Sequence, residues 1–252
     1  MTTDYDAIAH EYQAAKRQPW RSAIEAHSLV KLAGDVSGRS VIDLACGEGY
    51  YSRLAKLRGA RRVLGVDLSA KMIELARQQE AAEPLGVEYA VGDCGALELP
   101  EKFDLALAAY LLNYARTAEE LAHMARSVAA CLPPGGRFVT VNSSPFVDFR
   151  RASSYRPYGF ELELGIAPDR EGRVPEGTPI WWRFFLENET LEIENYYLSP
   201  ETHEQALVAA GLDDVRWARP EIAVGAERPD GYWDALLDHP PIILLTAVRS
   251  RR

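Results

Sequence analysis

The sequence predicts a doubly wound α/β fold: a mostly parallel, seven-stranded sheet with helices on both faces, N-terminal helices and a small antiparallel insertion after the fifth strand. Three observations predict it. First, short apolar runs recur between residues 41 and 142, separated by segments of helical length. Strands alternating with helices imply βαβ units and a parallel sheet. Second, Val41-Ile42-Asp43-Leu44-Ala45 meets a Cys46-Gly47-Glu48-Gly49 turn that opens straight into an amphipathic segment. Strand, glycine turn and helix are how a nucleotide site begins. Third, the rhythm breaks after residue 142, and two aromatic-rich runs then flank Glu187-Asn188-Glu189-Thr190, which reads as a hairpin.

Residues 4–33 read as helix, with Tyr5, Ile8, Ala9 and Tyr12 at helical spacing. Pro19 interrupts the pattern, and Ala23, Ile24, His27, Val30 and Leu32 resume it. Val41 to Leu44 is the first strand, an unbroken apolar run as expected where both faces are covered. A helix over about 49–58 follows. Val63 to Asp67 is the second strand, and Ser69 caps a helix carrying Met72, Ile73, Leu75 and Ala76 on its apolar side. Val87 to Val91 and Phe103 to Ala109 are the third and fourth strands. Thr117 and Glu120 fit a capping box. Its helix runs to about Leu132, where Pro133-Pro134-Gly135-Gly136 stops it. Arg137 to Asn142 is the fifth strand. Residues 143–179 show no helical period. Ile180 to Leu186 and Leu191 to Leu198 form the hairpin, Pro200 to Ala210 a helix capped by Ser199 or Thr202, and Val215–Trp217 and Ile242–Val248 two closing strands. The divisions that follow are a helical cap (1–37), a nucleotide-binding core (38–142), a substrate-side insertion (143–198) and a closing helix and strands (199–252), all in one domain.

Composition narrows the function. The chain has 252 residues and a net charge of −9, from 28 basic and 37 acidic residues. A nucleic-acid binder would show a basic face, so a small-molecule partner is expected and nucleic acid is not. Cys46, Cys94 and Cys131 lie far apart and have no metal-ligand spacing, which fits free thiols in a reducing, cytoplasmic setting. The N-terminus, Met-Thr-Thr-Asp-Tyr-Asp, shows neither a basic start nor an apolar run, so no signal peptide is expected. No apolar stretch approaches the about 18 residues of a membrane span. A monomer or homodimer without metal is expected. The five histidines, His10, His27, His123, His203 and His239, form no ligand pattern.

The glycine turn decides against a dinucleotide. That fingerprint needs a third glycine to pack helix on strand, and Ser52 stands there. Glu48 occupies the place of the pyrophosphate, where a carboxylate costs Coulomb energy. The turn suits a ligand without phosphate. Asp67 follows Gly49 by 18 residues, close to where an acid holds ribose hydroxyls on doubly wound sheets. Asp93 ends the third strand and can accept from an adenine amino group, with the Cys94 backbone N–H beside it. Asp43, inside an apolar strand, reads as a second layer of support for the loop or as a direct contact.

These segments together, Asp43 to Gly49, Gly65-Val66-Asp67, Gly92-Asp93-Cys94 and Leu132 to Gly136, resemble the ordered motifs of class I S-adenosylmethionine-dependent methyltransferases over roughly residues 38–142, with a weaker return at 195–248. The resemblance implies S-adenosylmethionine as cofactor. It implies Ala45, Gly47 and Gly49 under the methionine part, Asp67 with Leu68 and Met72 at the ribose, Asp93 and Cys94 at the adenine, and a carbonyl near Ala109 facing the ammonium. Tyr5 and Tyr12, in a segment that folds over the cofactor in the family, are placed at the methionine carboxylate, and Arg21 as its counter-charge. The layout resembles bacterial small-molecule N- and O-methyltransferases of specialised metabolism, with the azapteridine N-methyltransferases of toxoflavin biosynthesis a candidate likeness.

The acceptor is sought in the aromatic insertion and beyond the fourth strand. Tyr110, Asn113 and Tyr114 follow that strand and are candidates to face the acceptor, with packing alone the alternative for Tyr114. Trp181, Arg183 and Phe185 share one face of the hairpin and Trp182, Phe184 and Leu186 the other; the sequence leaves open which face meets the site. Trp181, Trp182, Arg183 and Tyr197 are substrate candidates, and Tyr110 and His203 are candidate bases, with a surface role the alternative for His203. The expected reaction is methyl transfer to a nitrogen or oxygen of a small, planar heteroaromatic. A nicotinamide oxidoreductase and a non-catalytic S-adenosylmethionine-binding protein are the alternatives.

Overall fold

In the computed structural model, which describes residues 5–251 except 9–11, 13, 14, 98, 188, 227, 229 and 230, the sequence's alternation becomes one central sheet. Its strands are β1 (Ser40–Leu44), β2 (Arg62–Asp67), β3 (Glu88–Val91), β4 (Leu105–Ala109), β5 (Arg137–Ser143), and, from the C-terminal part of the chain, β9 (Leu212–Ala218) and β10 (Ile242–Arg249). The order is β3-β2-β1-β4-β5-β10-β9. β1 runs parallel to β2, Val41 opposite Val63, and to β4, Val41 opposite Leu105. β10 returns antiparallel between β5 and β9. The chain winds outward in one direction from β1 and in the other from β4, so a crevice opens at the C-terminal ends of these two strands, where open α/β sheets take ligands.

Both faces of the sheet are buried. Val41, Val63, Leu105, Leu107 and Val139 pack under the N-terminal helical segment and helix α2 (Tyr50–Leu57). Ile42, Leu44, Val66, Ala106 and Phe138 pack under α4 (Ala118–Ala130) and α5 (Pro200–Ala209). Capping follows the predicted side chains. Ser69 accepts from the Met72 N–H at the start of α3 (Ala70–Ala82), Thr117 from Glu120 and Ser199 from Thr202. The Glu120 carboxylate reaches back to the Arg116 N–H, 2.8 Å away, one residue earlier than a capping box places it.

Two segments differ from the sequence reading. The expected helix over 4–33 is not continuous: Tyr5 to Ala7 are turn and Ile8 a bend, Arg17 and Gln18 interrupt it again, and only then does a π-helical turn, Arg21–Ala26, run on into α1, His27–Ala33. A π turn widens the helix and brings an extra residue inward; Arg21, Ile24, Glu25 and Ala26 are all buried. His10 lies outside the described residues. The insertion also has more structure than its composition suggested. A 3₁₀ segment, Phe149–Tyr158, leads to β6 (Phe160–Leu164), which joins β7 (Thr178–Phe185) and β8 (Thr190–Tyr197) in a second, antiparallel sheet. A short helix, α6 (Asp234–Asp238), precedes β10. Among the described residues no helix is long and apolar enough to cross a membrane.

Candidate active site

The backbone leaving β1 is forced into left-handed geometry, at Ala45 (φ 57°), Gly47 (φ 57°) and Gly49 (φ 86°). At Ala45 this costs steric energy that glycine would avoid. A Cβ on Gly49 would lie 2.2 Å from the Tyr89 hydroxyl oxygen, so packing excludes a side chain there as well. Beneath the turn, Asp43 accepts the Ser52 hydroxyl at 2.6 Å. Burial outweighs that bond and pushes Asp43 up to about 7. The structure thus gives Asp43 a supporting place, joined to α2 through Ser52.

Asp67 ties the ends of β1 and β2 together. One oxygen accepts the Gly47 N–H at 2.8 Å and the other the Ser69 N–H at 2.9 Å. Burial raises its pKa despite both bonds. Each carboxylate oxygen keeps a further lone pair, and Asp67 lines a cavity of about 500 Å³ at the strand ends. Tyr5, Tyr12, Ala45, Gly47, Leu68, Met72, Asp93, Cys94, Ala109 and Tyr110 line it too. The size suits a nucleoside-sized ligand, and the set offers what such a ligand needs: the carboxylates of Asp67 and Asp93, apolar Leu68, Met72 and Leu111, and at Gly47 an open backbone whose added Cβ would meet the Tyr12 ring at 3.9 Å. Asp93 binds the Gly95 N–H at 2.7 Å, and the Ala45 N–H reaches the Cys94 sulfur at 3.3 Å. Gly49 is not in the lining. Gly95, Leu111, Tyr114, Arg116, Glu120 and Met124 are. Of these the sequence singled out only Tyr114. Glu120 and Met124 stand four apart at the start of α4, so they share a face; that spacing was the available signal.

The N-terminal segment closes one side. Tyr5 packs edge-on to Tyr12 and Tyr114, with ring centroids 5.2 and 6.0 Å away, and shares a hydrogen bond with the Tyr114 hydroxyl. Asp6 fastens the segment to the start of α3 through the Ser69 hydroxyl and the Lys71 N–H. Arg21 differs from the role the resemblance implies. It is 6% exposed and lies outside the cavity lining, with its guanidinium paired to Glu25 at 2.6 Å and set over Trp20, Tyr110 and Phe184. Glu25 also accepts hydroxyls from Tyr51 and Tyr110. Burial alone would raise Glu25, but Arg21, Lys16 and the two hydroxyls hold it below its usual value. Burial and Glu25 push the Tyr110 phenol well above its own. As a candidate base, Tyr110 is therefore held as a proton donor.

The hairpin's orientation is now fixed. Trp182 and Phe184 face inward. Trp182 stacks on Phe160 and Phe184 at 5.3 and 5.8 Å, meets Tyr110 edge-on at 6.4 Å and donates to Ser143 at 3.0 Å. Both line a small side pocket with Tyr12, Arg21, Tyr110, Tyr114, Ile193 and Asn195; Tyr12, Tyr110 and Tyr114 belong to the main cavity as well. Trp181 and Arg183 occupy the outer face: Arg183 pairs with Glu192 at 2.7 Å and with Glu163, and Trp181 covers Gly165. Tyr197 pairs with Thr178 at the hairpin's end and Asn113 is buried without a hydrogen-bond partner for either amide atom; neither lines the cavity or the side pocket. His203 is 6% exposed, bonds the Ser199 carbonyl at 2.9 Å and packs on Trp217. Burial lowers its pKa. It is a core histidine on α5, neither the surface residue nor the cavity base that the sequence offered. Among the described residues no group of three or more His, Cys, Asp or Glu is placed to hold a metal ion.

Residues 41–136 match the family model of a methyltransferase domain. A demethylmenaquinone methyltransferase of Deinococcus radiodurans is 31% identical over 144 residues, 56% of this chain and 56% of that protein. A ubiquinone biosynthesis O-methyltransferase of Stutzerimonas stutzeri is 29% identical over 137 residues, 53% of this chain and 55% of that protein. The matches thus span about half the length of these curated relatives. Across the whole fold, the crystal structure of an S-adenosylmethionine-dependent methyltransferase from Mesorhizobium loti superposes with a TM-score of 0.61 at 28% identity, covering 93% of this chain and 100% of that one.

Proposed function

From a chain whose residues 41–136 are a class I, S-adenosylmethionine-dependent methyltransferase domain, we propose an enzyme that methylates a nitrogen or oxygen of a small, planar acceptor. One observation carries the reading: a single cavity of about 500 Å³ at the strand ends is lined both by Asp67, Asp93 and Gly47 and by the rings of Tyr5, Tyr12, Tyr110 and Tyr114. In-line methyl transfer needs direct contact between the two ligands, so cofactor and acceptor share this cavity; the side pocket behind the rings, about 20 Å³, has room for no more than a water. In the cavity, Asp67 holds the ribose hydroxyls, Asp93 the adenine and Gly47 the backbone approach. The tyrosine rings of the cavity provide the flat surfaces that favour a planar acceptor, with Trp182 and Phe184 buried behind them. The relatives' names, one for demethylmenaquinone and one for O-methylation in ubiquinone biosynthesis, are compatible with a ring-bearing acceptor and keep oxygen beside nitrogen, while a malonyl-[acyl-carrier protein] O-methyltransferase of Yersinia pestis, 38% identical over 107 residues, shows that relatives differ in acceptor.

Bound S-adenosylmethionine supplies a methyl group that is already electrophilic. The residues of this chain orient the acceptor and exclude water, a contribution on the order of 7–11 kcal/mol when alignment is good. Tyr110 gives its proton to Glu25 in a hydrogen bond and is a poor base, which favours an acceptor atom that is unprotonated at neutral pH. Calorimetric titration with S-adenosylhomocysteine tests the cofactor; one-to-one binding is expected, and its absence sinks the reading. A library of aromatic N-heterocycles and acidic phenols, assayed for S-adenosylhomocysteine release, then identifies the acceptor.

A further inference from the structure

Three separate elements converge on one buried carboxylate. Glu25, 1% exposed on the π turn, accepts the Tyr51 hydroxyl from the first turn of α2 at 2.6 Å, the Arg21 guanidinium at 2.6 Å and the Tyr110 hydroxyl from beyond β4. The Lys16 ammonium stands 3.9 Å away. Of the two tyrosines, only Tyr110 lines the cofactor cavity. Tyr110 is also one of three described non-glycine residues with positive φ, at 66°, a conformation a bulky side chain adopts only when its surroundings enforce it. It is pinned at both ends: its N–H donates to the Val141 carbonyl at 2.7 Å, and its hydroxyl reaches Glu25.

We propose that Glu25 is a positioning residue of the active site. Through the Tyr110 hydroxyl it holds the Tyr110 ring in place as a wall of the cofactor cavity, and so shapes the cofactor site from outside it. The inference rests on the methyltransferase reading. A buried charge with several partners is weak evidence for stability but a known means of fixing one conformation. Here the conformation fixed is a strained one at the site itself.

The test uses the full chain, S-adenosylhomocysteine as probe and two variants that each remove one oxygen. Tyr110→Phe and Tyr51→Phe both delete a hydroxyl bound to Glu25, so a merely structural role predicts like losses of Tm and like affinities. Positioning predicts that Tm falls alike, while affinity falls about tenfold in Tyr110→Phe, as for a lost hydrogen bond to a charged group, and less than about twofold in Tyr51→Phe. Glu25→Gln, which keeps an acceptor oxygen for Tyr110, retains more affinity than Glu25→Leu; if either fails to fold, the tyrosine pair still decides. Equal affinities in the two tyrosine variants overturn the proposal and leave the methyltransferase reading standing. A wild-type protein that does not bind S-adenosylhomocysteine overturns both.

Discussion

At the cofactor end of the cavity, Asp67 is held by two backbone N–H groups, those of Gly47 and Ser69. In the adjoining side pocket, Trp182 is held by other side chains: the Ser143 hydroxyl and the rings of Phe160, Phe184 and Tyr110. Backbone donors are set by the turn itself and survive changes in neighbouring side chains. A stack of rings depends on the identity of every member. The cofactor end is thus built to keep one ligand, and the packing behind the rings can change by single substitutions.

The comparison is tested hardest at the hairpin. Trp182→Ala removes an inward ring and should cost about 3–5 kcal/mol in chemical denaturation, whereas Trp181→Ala, on the outer face, should cost less than about 1 kcal/mol. Similar losses would mean that the two faces are not distinct. Asp43 gives the next effect, through pH. Its pKa lies near 7 in the folded chain and about 3.9 unfolded. Between these values the unfolded state releases its proton while the folded state keeps it. Stability therefore falls as pH rises from about 4 to 7, by on the order of 1 kcal/mol per unit, and is flat above. Asp43→Asn should erase this slope; parallel Tm–pH curves for variant and wild type would refute the assignment. Asp67→Ala should weaken S-adenosylhomocysteine binding by roughly 1.5–3 kcal/mol for each charge-assisted bond lost, read by calorimetry, and unchanged affinity would remove Asp67 from the site. Smallest of all, Arg183→Ala breaks surface ion pairs and should leave Tm nearly unchanged in a thermal melt, with no effect on cofactor affinity.

The same contrast explains what the sequence disclosed. The order of β1 to β5 and the positions of Asp67 and Asp93 follow from local signals: apolar runs, a glycine turn and an acid at a strand end. They were readable because each rests on neighbours in sequence. The face of the hairpin was not, because period 2 divides Trp181 from Trp182 without saying which side meets the sheet; that is decided by Ser143 and Tyr110, 39 and 72 residues away in sequence. β6 was missed because its pairing partner, β7, lies across a loop without periodicity. Arg21 departs from the role the resemblance implies because Glu25 claims its guanidinium; that pairing was legible, since the two stand at the i, i+4 spacing of a helical ion pair.

Tyr89 governs more than its own place. A Cβ at Gly49 would strike its hydroxyl, and a Cβ at Gly65 would lie 2.8 Å from its ring, with Cys46 and Ser52 crowding the same point at 2.9 Å. One aromatic residue on β3 thus forbids side chains at two positions on two other elements. Permission to vary at 65 is conditional: alanine there fits only where the ring at 89 is smaller and Cys46 and Ser52 also give way. The order in which such changes arrive decides which of them survive, so the glycine pattern of this nucleotide loop is in part the memory of a neighbouring ring.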